Sequence, residues 1–445
     1  MNIPKEHRGR FFYHFTHIDN IESIVKNGLL ATNVKKAMGI EHHNVANENI
    51  QNRRSEMEIK VGPGGVVHDY VPFYFASTNK MLLGLLNHKN VDQPFVVFIV
   101  VSIDKLLNDN TIFTNASANT VVPPEFYSDP QDLDKLNWDL IDSTKWSEDS
   151  DEELHARMAE ALIYQRVPLD WIEGYIVFNN VCRQKIEECY EKVGIQQPNI
   201  YYQPFHYRYF YFTKFFFADR KKETLVTGPL FLYAYYNEAV RQIIKNNRGT
   251  KDSKKHFKNI DDLLMQIRGN FCILPELTGI YGLQTDNQVH MQTVSDHTLL
   301  VVNNIPLNKY YVMLDEKDKK IVTLAAYFHD IGKGPKEKWM GGIQKAYPDH
   351  PADAIPMLIR ILSEEIENIT EEEVRKVCLL VIYHDLLGDI IGNGRSRAEL
   401  ISLHLCENDL NMLADLSVAD IKALSNTWGI NIECSMDCLL DEMLR

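Results

Sequence analysis

The chain has few cysteines, no long apolar run and no excess of positive charge. Its seven cysteines are scattered and form no CxxC pair, which argues against a disulfide framework and against a zinc knuckle. We expect reduced thiols, with Cys434 and Cys438 as buried apolar residues. The longest apolar run, Pro94–Ile103, is about half of what a bilayer crossing requires, and the first residues carry no secretory pattern. These absences indicate a cytoplasmic protein with no membrane partner.

Acidic residues outnumber basic ones, 61 to 47, for a net charge of −14. Proteins that bind nucleic acids usually present Lys and Arg to the phosphates, so this balance argues against such a partner. The acidic excess lies in stretches such as Ser147–Glu153, and a small basic face elsewhere can still hold a short single strand. The net charge therefore neither supports nor excludes DNA.

Short apolar runs in the first half predict the strands of a buried sheet, at Val71–Phe75, Phe95–Val101 and Gly174–Phe178. Asp19 or Asn20 can cap a helix that starts at Ile21 and that Gly28 ends. The aromatic block Tyr207–Phe217 fits a strand covered on both faces better than it fits a base-stacking surface. This half therefore reads as a mixed α/β domain over residues 1–217.

The second half has helical periodicity. The segment Lys245–Lys258 is polar and basic, which is typical of an exposed connection. Beyond about residue 268, apolar residues recur every three or four positions and predict helices over 321–330, 374–385 and 410–424. We expect an α+β protein in which a linker with connecting helices (218–269) joins the first domain to an all-α domain (270–445).

Two local patterns in the first half concern the strand that begins the domain and an arginine pair. Alternation over Phe12–Thr16 would place His14 and Thr16 on one face, where a ring nitrogen and a hydroxyl can meet a planar amide such as nicotinamide. The alternative is an ordinary strand end followed by a helix cap. On a helix, Arg53 and Arg54 point about a quarter turn apart, so at most one of them faces a site; otherwise they form a solvated pair.

Two further patterns involve glycine and glutamate. Gly64 and Gly65 precede a strand and permit either close approach of a ligand or a tight turn. Glu160 lies beside an apolar run, where an unpaired charge would be costly to bury. Such a glutamate needs either solvent or a functional role.

The order of these four patterns resembles the DarT family of DNA ADP-ribosyltransferases over roughly residues 10–215. The segments that carry the resemblance are YHFTHIDN from Tyr13, IQNRR from Ile50, PGGVVHDYVPFYF from Pro63 and MAEALIY from Met158. The resemblance implies an ADP-ribosyltransferase-like domain that modifies thymine bases in single-stranded DNA and uses NAD as its substrate. The resemblance further implies a toxin of the toxin–antitoxin or phage-defence type.

The resemblance also implies roles for individual residues. It assigns His14 and Thr16 to the nicotinamide and the adjoining ribose of NAD, and Arg54 and Glu160 to catalysis. The other residues implied at the NAD site are His68 and Tyr70, with Asp69 helping to shape it. A carboxylate such as Glu160 would stabilise positive charge on the ribose. Whether Glu160 or Arg54 steers the proton that leaves thymine N3 stays open.

The second half contains His297, the pair His329–Asp330 and the distant Asp420, each in a helical stretch. Such residues can converge on a divalent ion with open positions for water. This pattern resembles the HD phosphohydrolases and implies an HD domain with bound Mg, Mn, Fe or Zn.

Over about residues 270–430 the second half also resembles the HD domain of the bacterial uridylyltransferase/uridylyl-removing enzyme. The segments that carry it are Leu274–Glu276, His290 and the stretch from Val418 to Trp428. His350 and His384 are candidates for a second metal site or, equally, for capping or phosphate contact. We expect Asp385 and Asp415 at the surface or behind the ligands.

These features together predict a bifunctional enzyme, in which the metal-dependent hydrolase reverses or restrains the transferase. The partners would be NAD and single-stranded DNA, with ADP-ribosylated DNA or a nucleotide at the HD domain. Two alternatives stay open. The HD domain can be a regulatory module that senses a nucleotide, and the acceptor can be RNA or protein, because the fold of a transferase does not fix its target.

Overall fold

The computed structural model describes residues 2–43, 48–76, 79–120, 122–143, 150–201, 226–249, 254–286, 292–345 and 347–444. The chain forms two compact units. The first unit comprises Met1–Asn87 and Val91–Val226, and the second comprises His88–Asn90 and Thr227–Arg445. The aromatic block 207–217 and His290 lie outside the described residues. No helix in the described ranges has the length and apolar character needed to cross a membrane.

An eight-stranded mixed sheet forms the centre of the first unit. Numbered along the chain, its strands are β1 (Phe11–His17), β2 (Tyr70–Tyr74), β3 (Val96–Ser102), β4 (Thr111–Thr114), β5 (Phe126–Tyr127), β6 (Glu160–Tyr164), β7 (Ile172–Ile176) and β8 (Asn199–Tyr201). Their spatial order is β8-β7-β3-β1-β2-β6-β4-β5. Among the described strand pairs of this sheet, only β7 and β8 are parallel. The strands predicted near residues 71–75, 95–101 and 174–178 are confirmed as β2, β3 and β7.

Apolar side chains cover the sheet on both faces. Along β3, Val97, Ile99 and Val101 belong to one core cluster, while Val96, Phe98 and Val100 belong to another. A strand buried on both faces reads as a continuous apolar run, which explains the sequence VVFIVV. Helices complete the unit: Ile21–Asn27, Thr32–Met38, Glu48–Glu56, Lys80–Asn87, Trp138–Ile141, Asp151–Arg157 and Asn180–Val193.

The sheet opens between β1 and β2. Strand β1 pairs with β3 at all seven of its positions, whereas it pairs with β2 only where Tyr13 faces Tyr74. The carboxyl end of β1, which carries His14 and Thr16, therefore diverges from β2. This divergence creates the mouth of the pocket described below.

The second unit is almost entirely helical. Its helices are Pro229–Gly249, Ile260–Gly269, Pro275–Ile280, Val294–Asn304, Lys309–Met313, Glu316–Phe328, His350–Arg360, Glu371–Tyr383, Leu386–Gly392, Arg397–Ser402, Glu407–Leu424 and Asn426–Met443. The described strands of this unit are the two-residue pair Gln284–Thr285 and Ile343–Gln344. The helices predicted near residues 321, 374 and 410 are confirmed. Two helices, 229–249 and 260–269, lie in the region expected to be a linker with connecting helices, and their buried residues belong to this unit's core.

The prediction that Cys434 and Cys438 are buried is wrong, because both thiols are exposed. They lie on helix Asn426–Met443, whose buried residues are Met436, Leu439 and Leu440. Those three positions form one helical stripe, and the two cysteines fall on the other side of it. Both therefore face solvent.

Candidate active site and candidate metal centre

A pocket in the first unit opens where β1 and β2 diverge. It encloses about 1140 Å³ of space, part of it open to solvent. His14 and Thr16 both line it, as the alternation of β1 predicts, and Arg54, His68 and Tyr70 line it too. All five residues expected at an NAD site thus border one pocket.

Arg54 and Glu160 form a buried ion pair. The guanidinium Nη1 and Nη2 atoms each donate to one carboxylate oxygen of Glu160, both at 2.9 Å. The backbone N–H of Ala118 donates to the same carboxylate at 2.9 Å. Arg54 is 5% exposed and Glu160 is fully buried, whereas Arg53 is exposed. Burial opposes the charge on Arg54, but Glu160 raises the pKa of Arg54 above its ordinary value. Arg54 therefore keeps its charge, and the bidentate geometry fixes the orientation of both side chains.

His14 and His68 of the pocket are neutral. Burial lowers the pKa of His14 to about 4 and that of His68 to about 4. His14 Nδ1 lies 2.7 Å from the carbonyl oxygen of Pro72, and His68 Nε2 lies 3.1 Å from Gln51 Oε1. Because an oxygen with only lone pairs must accept, each ring donates there and keeps its other nitrogen as an acceptor.

Tyr70 and Asp69 shape the segment that precedes β2. The Tyr70 hydroxyl donates to the carbonyl oxygen of Gly64 at 2.8 Å, so Tyr70 offers the pocket its ring. Asp69 accepts from the Val66 N–H at 2.9 Å. A Cβ on Gly65 would lie 2.5 Å from Asp69 Oδ2. The two glycines therefore serve a tight turn that Tyr70 and Asp69 hold.

In the second unit, three histidines are oriented in the same way. Nδ1 of His329, His350 and His384 lies 2.8, 2.9 and 2.8 Å from the carbonyl oxygen of the residue three positions earlier. Since a carbonyl oxygen can only accept, Nδ1 carries a proton in each case, and Nε2 of a neutral ring carries a lone pair. His350 Nε2 and His384 Nε2 lie only 3.1 Å apart. Two lone pairs at this distance repel unless a proton or a cation lies between them.

The carboxylate of Asp330 joins two groups of histidines. Its Oδ2 lies 3.4 Å from His329 Nε2 and 3.9 Å from His297 Nε2, while its Oδ1 lies 3.4 Å from His350 Nε2. Asp420 Oδ1 lies 2.7 Å from His297 Nε2. We call the following seven residues the His/Asp cluster: His297, His329, Asp330, His350, His384, Asp385 and Asp420.

The His/Asp cluster has the donor set of a site for divalent cations. Within the described ranges, the buried atoms His329 Nε2 and Asp330 Oδ1 have no hydrogen-bond partner, which is costly unless something else binds them. Burial opposes the charge on His329, yet Asp330 and Asp420 raise its pKa to about 9. The cluster thus attracts positive charge. Imidazole and carboxylate together suit transition metals, and an ion here would meet the unsatisfied atoms.

The first part of the chain is similar to a family of known proteins. A sequence profile described as DarT, ssDNA thymidine ADP-ribosyltransferase, matches residues 13–211. A DNA ADP-ribosyl transferase of Thermus sp. strain 2.9 is 31% identical over 173 residues, which make up 38% of this chain and 80% of that protein. The chain belongs to the DarT family. It is a DarT-type ADP-ribosyltransferase.

The chain is also similar to a further DarT protein and to a uridylyltransferase/uridylyl-removing enzyme, the class of protein that the sequence analysis named for the second half. A DNA ADP-ribosyl transferase of Escherichia coli O127:H6 is 26% identical over 183 residues, 40% of this chain and 84% of that protein. A bifunctional uridylyltransferase/uridylyl-removing enzyme of Cereibacter sphaeroides is 24% identical over 175 residues, 36% of this chain and 17% of that protein. Thermus sp. 2.9 DarT in complex with ADP-ribosylated ssDNA is similar in structure, with a TM-score of 0.41, 25% identity and coverage of 47% of this chain and 99% of that one.

Sequence reasoning missed several residues at the two sites. In the DarT-type domain, Asn20 lines the pocket and its side chain does not cap the helix that follows. Ala118 contributes a backbone N–H to Glu160, and nothing in its side chain signals this role. In the second unit, Asp385, expected at the surface or behind the ligands, has a side chain that is 27% exposed, and its carboxylate lies 3.2 Å from His384 Nε2, within the cluster. Asp415 is fully buried and accepts from Asn308.

Proposed function

We propose that the first unit transfers ADP-ribose from NAD to thymine bases of single-stranded DNA. The observation that carries this proposal is the buried, bidentate Arg54–Glu160 pair beside a pocket in a DarT-family chain. In the proposal, His14, Thr16, Arg54, His68 and Tyr70 bind NAD, and Glu160 and Arg54 act on the reacting atoms.

The carboxylate of Glu160 accounts for the first chemical step. Breaking the bond between nicotinamide and ribose places positive charge on the ribose, which a fixed carboxylate stabilises more in the transition state than in the ground state. Arg54 and the Ala118 N–H hold this carboxylate in one orientation, so little reorganisation is needed during the reaction.

The second step requires that the proton on thymine N3 leaves as the new bond to the ribose forms. Glu160 keeps Arg54 protonated, since it raises the pKa of that side chain against the effect of burial. A guanidinium in this state cannot accept a proton. We therefore propose that Glu160 accepts the proton from thymine N3. Arg54 would stabilise the negative charge that develops on the base.

Transfer of label from NAD to DNA tests this proposal. Oligonucleotides with and without thymine, single-stranded and duplex, and an RNA of the same sequence would be incubated with labelled NAD. We expect label only on single-stranded DNA with thymine. Glu160→Gln should lower the rate by at least about 100-fold, while Glu173→Gln, which changes an exposed glutamate on β7, should not. Label on RNA or on protein instead would overturn the acceptor assignment.

We also propose that the second unit is a metal-dependent phosphohydrolase that reverses or restrains the transferase. His297, His329, Asp330 and Asp420 would hold one divalent ion. His350, His384 and Asp385, together with Asp330, would hold a second ion, as the short distances between these side chains support. When bound, such ions supply an activated water for cleavage of a phosphodiester or pyrophosphate.

Metal analysis and a toxicity assay test the second proposal. Purified protein should contain bound divalent metal, and Asp330→Asn should remove it, while His404→Ala at an exposed histidine should not. Cells that express Asp330→Asn should accumulate more DNA adduct and grow worse than cells with the wild type. An unchanged adduct level would refute restraint by this unit. Metal-loaded protein that binds nucleotides without hydrolysing them would identify a regulatory module instead.

A further inference from the structure

The side chain of Asn20 has a single possible orientation, which the backbone of His43 determines. The His43 N–H donates to Asn20 Oδ1 at 2.8 Å, and Asn20 Nδ2 donates to the His43 carbonyl oxygen at 2.9 Å. Because a backbone N–H can only donate and a carbonyl oxygen can only accept, the amide of Asn20 cannot be reversed. Its second Nδ2 hydrogen points to Thr16 Oγ1, at 2.9 Å.

This orientation fixes the polarity of the Thr16 hydroxyl. Thr16 Oγ1 must accept from Asn20, so its own proton is left to donate. In the part of the chain that the structure describes, no acceptor for that proton is found. Thr16 is buried and lines the pocket. It therefore presents a hydrogen-bond donor to whatever occupies the pocket.

His14 has the opposite polarity. Its Nδ1 donates to the Pro72 carbonyl oxygen, and the ring is neutral, so its Nε2 can only accept. Strand alternation places His14 and Thr16 on the same face of β1, roughly 7 Å apart along the strand. The pocket wall thus offers one acceptor and one donor side by side. A planar carboxamide offers the complementary pair, an NH₂ group and a carbonyl oxygen.

We propose that Asn20, His14 and Thr16 form a selectivity device that reads the uncharged carboxamide of NAD and rejects nicotinic acid adenine dinucleotide. This inference rests on the proposed binding of nicotinamide by His14 and Thr16. A carboxylate at that position has no hydrogen to donate, so it leaves His14 Nε2 facing a negatively charged oxygen. Sites built to hydrogen-bond one group reject analogues that lack it far more strongly than apolar pockets reject a change of size.

The pocket cation Lys35 does not account for such selectivity. Both dinucleotides carry the same pyrophosphate, so an ammonium group attracts both of them. Arg54 is already neutralised by Glu160. Discrimination between the amide and the acid therefore depends on the acceptor of His14 and the donor of Thr16. Asn20 is a positioning residue, because it orients the Thr16 hydroxyl and does not itself contact the amide.

The test compares the two dinucleotides on the full chain, by calorimetric binding and by label transfer to thymine-containing single-stranded DNA. We expect kcat/KM for NAD to exceed that for nicotinic acid adenine dinucleotide by at least about 100-fold. A ratio below about tenfold would overturn the inference. If both dinucleotides bind and react alike, NAD use stands and only the selectivity device fails; if neither binds, the NAD site itself is refuted.

Variants separate this role from a merely structural one. His14→Gln should narrow the ratio of kcat/KM between the two dinucleotides, because a glutamine amide can turn its NH₂ group towards a carboxylate. Thr16→Val should bind NAD at least about tenfold more weakly, whereas Thr16→Ser, which keeps the hydroxyl, should bind it like the wild type. Asn20→Asp should weaken NAD binding as well, because Thr16 would then donate to the new carboxylate. Asn27→Asp is the matched control, at the end of the helix that follows Asn20, where the amide donates to the Ser23 carbonyl oxygen, and it should leave NAD binding unchanged. An unchanged ratio in His14→Gln would contradict the proposal even if Asn20→Asp fails to fold.

Discussion

In the first unit, the buried charges of the site neutralise each other. Arg54 and Glu160 meet in a bidentate pair, and the neighbouring His14 and His68 are neutral. In the second unit, carboxylates and imidazoles crowd together, and buried atoms such as His329 Nε2 and Asp330 Oδ1 lack a hydrogen-bond partner among the described residues. The first site pairs its two buried charges with each other, whereas the second leaves a buried carboxylate oxygen and an imidazole nitrogen unsatisfied in the described part of the chain, as the proposed metal site requires.

This difference separates two kinds of substrate recognition. A site with paired charges presents fixed donors and acceptors, so it selects a ligand by hydrogen-bond pattern and by the charge that develops during the reaction. A site with unsatisfied ligand atoms selects first an ion, and the ion then recruits the substrate. Mutations should therefore destabilise the first unit where they break a charge pair, and should deplete metal from the second where they remove a ligand.

Breaking the Arg54–Glu160 pair should have the largest effect on stability. Arg54→Met and Glu160→Gln should each lower the free energy of unfolding of the first unit by about 3–5 kcal/mol, because each leaves its partner buried without an opposite charge. The double variant should cost less than the sum of the two. Urea-dependent alkylation of the buried thiols reports each unit separately, with Cys189 in the first and Cys378 in the second. Equal effects at Cys378 would show that the two units do not respond independently.

Lowering the pH should destabilise the pocket of the first unit by an intermediate amount. The pKa of His14 is about 4 in the folded chain because burial disfavours its charged form, against roughly 6.5 when unfolded. The unfolded chain thus binds the proton first. The stability contributed by neutral His14 is complete above pH 6.5 and is lost as the pH falls towards 4. Between pH 7.5 and pH 5 this loss is about 2 kcal/mol.

Hydrogen exchange in urea, read from peptides of β1 and β3, measures the pH effect. Wild type and His14→Gln would be compared at both pH values, since glutamine does not titrate. The variant should lose about 2 kcal/mol less than the wild type over this interval. The same pH dependence in both proteins would mean that other groups, such as His17 or His68, dominate.

Local pattern was enough to predict much of the site. Alternation along β1 placed His14 and Thr16 on one face, and helical geometry allowed only one of Arg53 and Arg54 to face the pocket; the structure identifies it as Arg54. The helices that carry His329 and His384 followed from their apolar spacing. Each of these features depends on neighbours within one strand or a few helical turns, which is the range over which sequence patterns carry information.

Contacts between distant segments could not be read in this way. Asn20 has the residue type and position of a helix cap, yet its amide serves His43 and Thr16. Asp385 was expected either at the surface or behind the ligands, because its contact with His350 joins residues that are far apart in sequence. The exposure of Cys434 and Cys438, in contrast, could have been predicted from the sequence. Met436, Leu439 and Leu440 form an apolar helical stripe there, and the two cysteines lie outside it.

A helix cap in the second unit provides the smallest effect and separates stability from metal binding. Thr370 and Glu373 form a capping box at the start of helix Glu371–Tyr383, which ends next to His384. Thr370→Ala should lower the stability of this unit by about 1 kcal/mol, because it leaves a backbone N–H of the first turn without its side-chain acceptor. The loss should be visible at Cys378 and absent at Cys189. Metal content should stay at the wild-type level, because His384 lies at the opposite end and packing holds it there. A drop in metal content would mean instead that the His/Asp cluster depends on the stability of the whole helix. The cluster would then differ further from the Arg54–Glu160 pair, whose two side chains hold each other in place.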